Sequence, residues 1–200
     1  MQARSYHHGD LRSALLARAG QTLREKGAEA LSLRELARDL GVSHAAPSRH
    51  FKDRRALLDA LALTGFDRLN GLLDAAAPAG GTFRERLAAQ ARACVDFAVR
   101  ESEMMGVMFS RKLEQRDSDP DGEMHAAWMR MAAPVFAVIA DGQRSGDVHE
   151  GDVERIAMSV FIVVHGVSSL TVVNMLHGDE VWIALADAID HLVRGLKPDA

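Results

Sequence analysis

Apolar positions recur at helical spacing along most of this chain. Leu11, Leu15, Ala19 and Leu23 share one face of a helix expected over residues 10–26, which Asp10 can cap and Gly27 ends. Leu33, Leu36, Ala37 and Leu40 make a second, shorter stripe. Ser32 stands before it and Glu35 three residues on, the pattern of a capping box, with Leu31 and Leu36 placed as its hydrophobic staple. Gly41 then supplies a residue tolerant of positive φ, and Ser43 can cap a third helix over 44–51. A short helix, a Gly-containing turn and another short helix form the helix-turn-helix pattern. One position breaks the local rules. Pro47 removes a backbone donor and crowds the first turn of the third helix, and it pushes Ala46 away from the α region. An irregular or 3₁₀ first turn is therefore expected there, and such violations gather at functional sites.

The same period predicts helices over about 54–77, 82–101, 103–112, 121–144, 152–176 and 180–196. In the first of these Leu57, Leu61, Leu69 and Leu72 or Leu73 can face inward. Thr82 and Glu85 make a second capping box, and Pro134 is a point for a kink. Val and Ile cluster around 160–173, which reads as a buried helix, and Gly178 and Gly195 act as stops. The fold class is all-α with about nine helices. It comprises a three-helix unit in residues 1–55 and a helical bundle in residues 56–200.

Composition changes this picture little, but the distribution of charge changes it more. The 200 residues carry a net charge of −4. Residues 1–58 hold 11 Lys/Arg against 6 Asp/Glu, for +5, and residues 59–200 hold 13 against 22, for −9. A basic front on an acidic body suggests a nucleic-acid-facing end. No run predicts a membrane span, and the polar start lacks the apolar stretch of a signal peptide, so a cytoplasmic protein is expected. One cysteine, Cys94, excludes an internal disulfide and a thiolate zinc cluster. There is no nucleophile elbow, phosphate-binding Gly loop, dinucleotide fingerprint or helical His pair, so no enzyme chemistry, metal or cofactor is implied.

The stretch from Leu31 to Leu58, LSLRELARDLGVSHAAPSRHFKDRRALL, resembles the DNA-binding signature of the TetR/AcrR family of regulators. The opening Tyr6-His-His-Gly-Asp-Leu-Arg12 is similar to one subset of that family. Phe161-Ile-Val-Val-His-Gly-Val-Ser-Ser-Leu170 resembles the Trp-His-Gly segment of a regulatory domain in the subset, with Phe161 where the tryptophan usually stands. The resemblance implies double-stranded DNA as a partner, a two-fold dimer and repression relieved by a small molecule. It also implies a switch in which a ligand moves the helix that follows the DNA-binding head.

A recognition helix needs small or polar residues on its outer face, and Ser43, His44, Ala45, Ala46, Ser48 and Arg49 supply them. Arg49 and His44 are candidates for base edges, and Ala45 and Ala46 for close approach or contact with a thymine methyl. Lys52, Arg54 and Arg55, with Ser32 and Arg34, are candidates for phosphates. His50 matches the family's histidine and serves equally as helix packing. Ser48 replaces the family's usual tyrosine, and Arg54 replaces its common phosphate-binding lysine with a cation that can still bind phosphate. Ser48 and Pro47 leave open a helical ligand-binding or interaction protein with a weakened DNA head.

For an effector, expected to be largely apolar, the candidates are Phe97, Met105, Met108, Phe109, Trp128 and His165. The methionine stripes suit core as well as pocket, and His165 suits a buried hydrogen bond to a neighbouring helix as well as a ligand contact. Cys94 reads as a small core residue with no basic neighbour in sequence. The last two helices are expected to form the homodimer interface. Val160, Val164, Val167, Leu170 and Val173 would contribute from one, and Val181, Ile183, Leu185, Ile189, Leu192 and Val193 from the other.

Overall fold

The computed structural model describes residues 11–76, 80–115 and 122–198. Asp10, most of the Tyr6–Arg12 motif and Asp121 lie outside them. Eight α-helices and no strand are present among the described residues. They are α1 (Leu11–Lys26), α2 (Leu33–Asp39), α3 (Arg54–Ala76), α4 (Phe83–Arg100), α5 (Ser102–Gln115), α6 (Glu123–Ser145), α7 (Val153–Val172) and α8 (Asp179–Gly195). Short 3₁₀ turns occupy Ala28–Ala30 and Pro47–Arg49. The chain forms two compact units, Met1–Phe66 with Glu103–His125 and Asp67–Ser102 with Ala126–Ala200.

In the first unit α1 buries Leu11, Leu15, Ala19 and Leu23, as the stripe predicts. It meets α2 and both 3₁₀ turns. Arg18 grips Asp39 of α2 with two guanidinium nitrogens, at 2.9 and 2.8 Å, and this hydrogen bonding holds the Asp39 carboxyl below its ordinary range. The Ser32 box does not form. Ser32 is extended and its side chain caps nothing, while the Glu35 carboxylate lies 3.6 Å from the Arg38 guanidinium, forward along the helix. Leu31 and Leu36 are buried all the same, whereas Leu33 and Leu40 are only half-buried.

α5 is tied to the first half of α3. Arg111 is buried and donates from Nε to Asp59 at 2.6 Å and also pairs with Glu114. Met104 and Met108 pack so closely on Gly65 that a Cβ there would lie 2.6 Å from the Met108 sulfur.

The second unit is built on α4, α7 and α8, which pack on one another with α6. Phe83, Leu87 and Val95 of α4 meet Val138 and Ile139 of α6, Val160 and Val167 of α7, and Leu185 and Ile189 of α8. Here the capping box forms in full. Thr82 Oγ1 accepts from the Glu85 backbone at 3.2 Å, and Glu85 accepts from the Thr82 backbone at 2.9 Å. α6 continues through Pro134, and Gly142 lets Val148 and Phe83 approach where a Cβ would stand 2.6 and 2.9 Å away.

α7 differs from expectation in three ways. It ends at Val172, short of the expected 176, because Asn174 turns left-handed at φ 63° and Met175 and Leu176 donate back to the Leu170 carbonyl. Gly178, at φ 55°, precedes α8 as its cap position. By length and composition α7 could cross a membrane, contrary to the expectation from sequence, yet one side of it packs into the core on α4 and α8. It is also less buried than a core helix. Met158 is 51% exposed, Ile162 62% and Val172 53%.

Candidate nucleic-acid interface and apolar cavity

The segment expected to be the third helix is a turn over 44–46 followed by the 3₁₀ turn Pro47–Arg49. Pro47 has no N–H to donate, so the segment closes mainly through tight bonds. Ala46 donates to Ser43 at 2.9 Å, Arg49 to Ala46 at 3.3 Å and His50 to Pro47 at 2.9 Å. These bonds keep Ala46 in the α region, at φ −64° and ψ −43°, against the preference expected before proline. Gly41 takes the turn at φ 67°. Pro47 and Phe51 are buried and anchor the segment from below, and the Arg12 guanidinium lies 5.4 Å from the Phe51 ring centre.

The anchoring turns Ser43, His44, Ala45, Ser48 and Arg49 outward, and Arg34, Lys52 and Arg55 are exposed too. Ser32, Arg34 and His44 line one shallow groove with Glu35 and Arg38. Arg38 was not among the sequence candidates, although its helical spacing from Arg34 puts it on the same face. His50 is half-buried. Arg54 is committed to the protein. It donates to the Ala28 carbonyl at 2.7 Å and the Leu31 carbonyl at 3.2 Å, fastening the start of α3 to the loop before α2. Asp53 caps that same start by accepting from the Ala56 backbone at 2.8 Å, so one of the free N–H groups there already has an anion. The exposed cations Lys52 and Arg55 remain available to a phosphate.

The second unit holds a cavity of about 170 Å³, open to solvent beside Met158 and Glu154, between α4, α6 and α7, with Leu73 of α3 also in its wall. Trp128, Met129, Met131 and Phe136 of α6 face Leu87, Gln90, Ala91 and Cys94 of α4 and Met158, Val160 and Phe161 of α7. The Trp128 and Phe161 rings meet edge to face at 5.1 Å, and His165 stacks on Phe161 at 5.5 Å. Of the sequence candidates Trp128 lines the cavity, and His165 stands one ring behind it, exposed rather than buried. Phe97 is buried apart from the cavity lining, with Arg68 over its ring. Met105, Met108 and Phe109 belong to α5 in the other unit and do not join the cavity. Cys94 lines it, and burial pushes its thiol up to about 12, far from the thiolate chemistry of a sensor.

The expected interface residues also divide. Val160, Val167, Val181, Leu185 and Ile189 turn into the core of the second unit, while Leu170, Val173 and Ile183 are exposed along with Met158, Ile162, Val172 and Met175.

Comparison with known proteins agrees with this architecture. The profile for bacterial regulatory proteins of the tetR family matches residues 15–61. The profile described as the tetracyclin repressor-like C-terminal domain matches residues 87–196, a span that takes in α7 and α8. Comparison with curated proteins gave no match. Among solved structures, a protein of unknown function from Rhodococcus sp. RHA1 is 41% identical, with a TM-score of 0.87 over 98% of this chain and 100% of that one. A regulatory protein of the tetR family from Rhodococcus RHA1 superposes with a TM-score of 0.73 at 22% identity, over 98% of this chain and 100% of that one. PfmR, a TetR family transcriptional regulator from Thermus thermophilus, gives 0.68 at 22% identity, over 92% and 99%. These last two speak for the fold. With both family domains matched in order, this chain belongs to the TetR family of bacterial transcription regulators, which are DNA-binding proteins and not enzymes.

Proposed function

We propose that this regulator is a ligand-responsive repressor that works as a cytoplasmic homodimer on a palindromic operator. The observation that carries the ligand-responsive part is the cavity of the second unit, an apolar chamber walled by aromatic and methionine side chains. Residues 1–55 would read DNA and residues 56–200 would bind the effector and dimerise. Ser43, His44, Ala45, Ser48 and Arg49 supply the base-facing surface. Ser32, Arg34, Arg38, Lys52 and Arg55 supply backbone contacts, and Arg54 supports them by fixing the start of α3.

The dimer rests on exposed apolar surface. Ile162, Leu170, Val173 and Ile183 offer α7 and α8 to a second copy, and the two pairs would make an intermolecular four-helix bundle. A two-fold pair of heads reads half-sites about one helical turn or more apart. Effector binding is proposed to move α3, which contributes residues to both units, and so to spoil that spacing. A ligand that binds the DNA-free form roughly 100-fold better supplies about 3 kcal/mol of coupling.

One observation favours a second reading, a ligand-binding protein with a weakened DNA head. The reading segment is a 3₁₀ turn and not a full α-helix, and Ser48 has little reach. Titration of a selected operator with the protein, followed by fluorescence anisotropy over a salt series, separates the two. The repressor reading expects specific binding that falls steeply with salt. Weak binding with no sequence preference would establish the second.

A further inference from the structure

The cavity wall is largely apolar, with a carboxylate at its exposed Glu154 and an amide at its buried Gln90. Gln90 of α4 lines the cavity and is only 4% exposed, yet among the described residues its Oε1 finds no hydrogen-bond donor. A buried amide oxygen without a donor is destabilising, so a side chain retained in that state marks a place where a partner belongs. Its neighbours in the wall, Leu87, Ala91 and Cys94, leave the amide as the polar group presented on this helix. Cys94 cannot substitute as an anion, since burial keeps it a thiol. Among the described residues of the wall the one charged group is Glu154, which is exposed, so no cation there awaits a carboxylate or a phosphate.

We infer that Gln90 is the specificity-determining residue of this cavity, and that the effector is a small neutral molecule, largely apolar, with one hydroxyl or comparable hydrogen-bonding group directed at the Gln90 amide. This rests on the reading of the cavity as the effector site. Size narrows the class. A cavity of roughly 150 Å³ accepts a benzene ring, so one of about 170 Å³ suits a single substituted ring or an aliphatic alcohol of similar bulk. Met129, Met131 and Met158 can repack around somewhat different shapes. Trp128 and Phe161, already edge to face, offer a third aromatic ring a place in the cluster. A hydroxyl can donate to the amide oxygen or, with the amide turned, accept from its nitrogen. An isosteric methyl group would leave the amide unpaired and bear the whole desolvation cost. A site of this kind rejects the analogue that lacks the polar group much more strongly than an apolar pocket rejects an extra methylene. A carboxylate would be excluded for lack of a counter-charge.

The test uses the full chain and three probes: para-ethylphenol, para-ethyltoluene, which is nearly equal to it in shape, and the somewhat larger anion para-ethylbenzoate. Binding is read by calorimetry and ligand-observed NMR, without DNA. The phenol should bind at least about tenfold more tightly than the toluene, a difference of about 1.4 kcal/mol, and the benzoate most weakly of the three. In Gln90→Leu the preference for the phenol should vanish or invert, because the unpaired amide is gone. If Gln90→Leu does not fold by circular dichroism and melting, Gln90→Met takes its place, and the wild-type comparison decides on its own in any case. Equal affinity for phenol and toluene in the wild type, or a preference that survives the substitution, would overturn the assignment of Gln90 while leaving an apolar effector site in place. Failure of all three probes to bind would overturn the effector-site reading itself, and the inference with it.

Discussion

The helix-turn-helix segment and the cavity wall use polar side chains in opposite ways. In the first, Pro47 and Phe51 are buried so that Ser48, Arg49 and their neighbours can face water and, in the proposed complex, DNA. In the second, Gln90 is turned inward among apolar groups and left without a donor. The first surface is solvated until its ligand arrives, so its charges cost little in the free protein and act over distance. On the proposed reading the second concentrates its specificity in one amide, which is costly when unpaired and selective when paired. Long-range attraction would then belong to the DNA head, and discrimination between similar small molecules to the cavity.

The largest effect should come from breaking the proposed dimer surface on which DNA reading depends. Ile162→Asp with Val173→Asp, on the exposed side of α7 and just past its end, should yield a monomer by light scattering. Operator affinity should fall about 100-fold or more, because two linked heads bind far more tightly than one. A dimer that persists in this variant would move the interface elsewhere. Within the DNA head, Arg49→Ala and Lys52→Ala should each cost about 1–3 kcal/mol of operator binding, in different manners. Arg49→Ala should relax sequence preference, and Lys52→Ala should weaken all sequences alike and lower the salt slope by about one. Identical isotherms for the variants and the wild type would remove these residues from the interface.

Filling the cavity sharpens the contrast from the other side. Ala132 lines it, and Ala132→Leu should abolish binding of the phenol probe while operator affinity without ligand changes less than about threefold. An equal loss of both would mean that the cavity supports the fold and does not receive a ligand.

The two capping sequences give a smaller and cleaner comparison. Thr82→Ala removes a formed box and should cost about 1 kcal/mol in urea unfolding, whereas Ser32→Ala removes a side chain that caps nothing and should cost close to zero. The smallest effect is in acid. Hydrogen bonds from Arg18, Arg86 and Arg84 hold Asp39, Asp141 and Asp190 below their ordinary range. A carboxyl lowered in the folded state adds stability that is complete above its unfolded value, near pH ~4, and is lost as pH falls through the folded value. Melting temperature should therefore drop as pH falls below about 4, and less steeply in Asp39→Asn than in the wild type.

Much of the architecture is legible in the sequence because it rests on local pattern. The α1 stripe, Gly41, the Thr82 box and the bounds of α3 and α4 follow from spacing alone. Pro47 announces a 3₁₀ segment by its missing donor. The Ser32 box fails because its pattern specifies only which bonds are possible, and Glu35 has a competing partner in Arg38 one turn on. The interface valines divide for a related reason. On a helix apolar all round, spacing cannot tell which side meets its own core and which meets a partner, so Val160 and Val167 go inward and Ile162 outward. The cavity is the least legible part, since it is assembled from helices distant in sequence. Gln90 does leave a trace, as a polar residue within the stripe Leu87, Ala91, Cys94, and an amide set in such a row is the signal that could have found it.

The central claim, that a DNA-reading head is governed by a cavity in the second unit, is tested most directly by selecting an operator from random DNA and measuring its anisotropy while a cavity ligand is titrated in. The account predicts a palindromic consensus, bound by a dimer and released by ligand in the wild type but not in Ala132→Leu. Operator affinity unchanged by a ligand that demonstrably fills the cavity would contradict it.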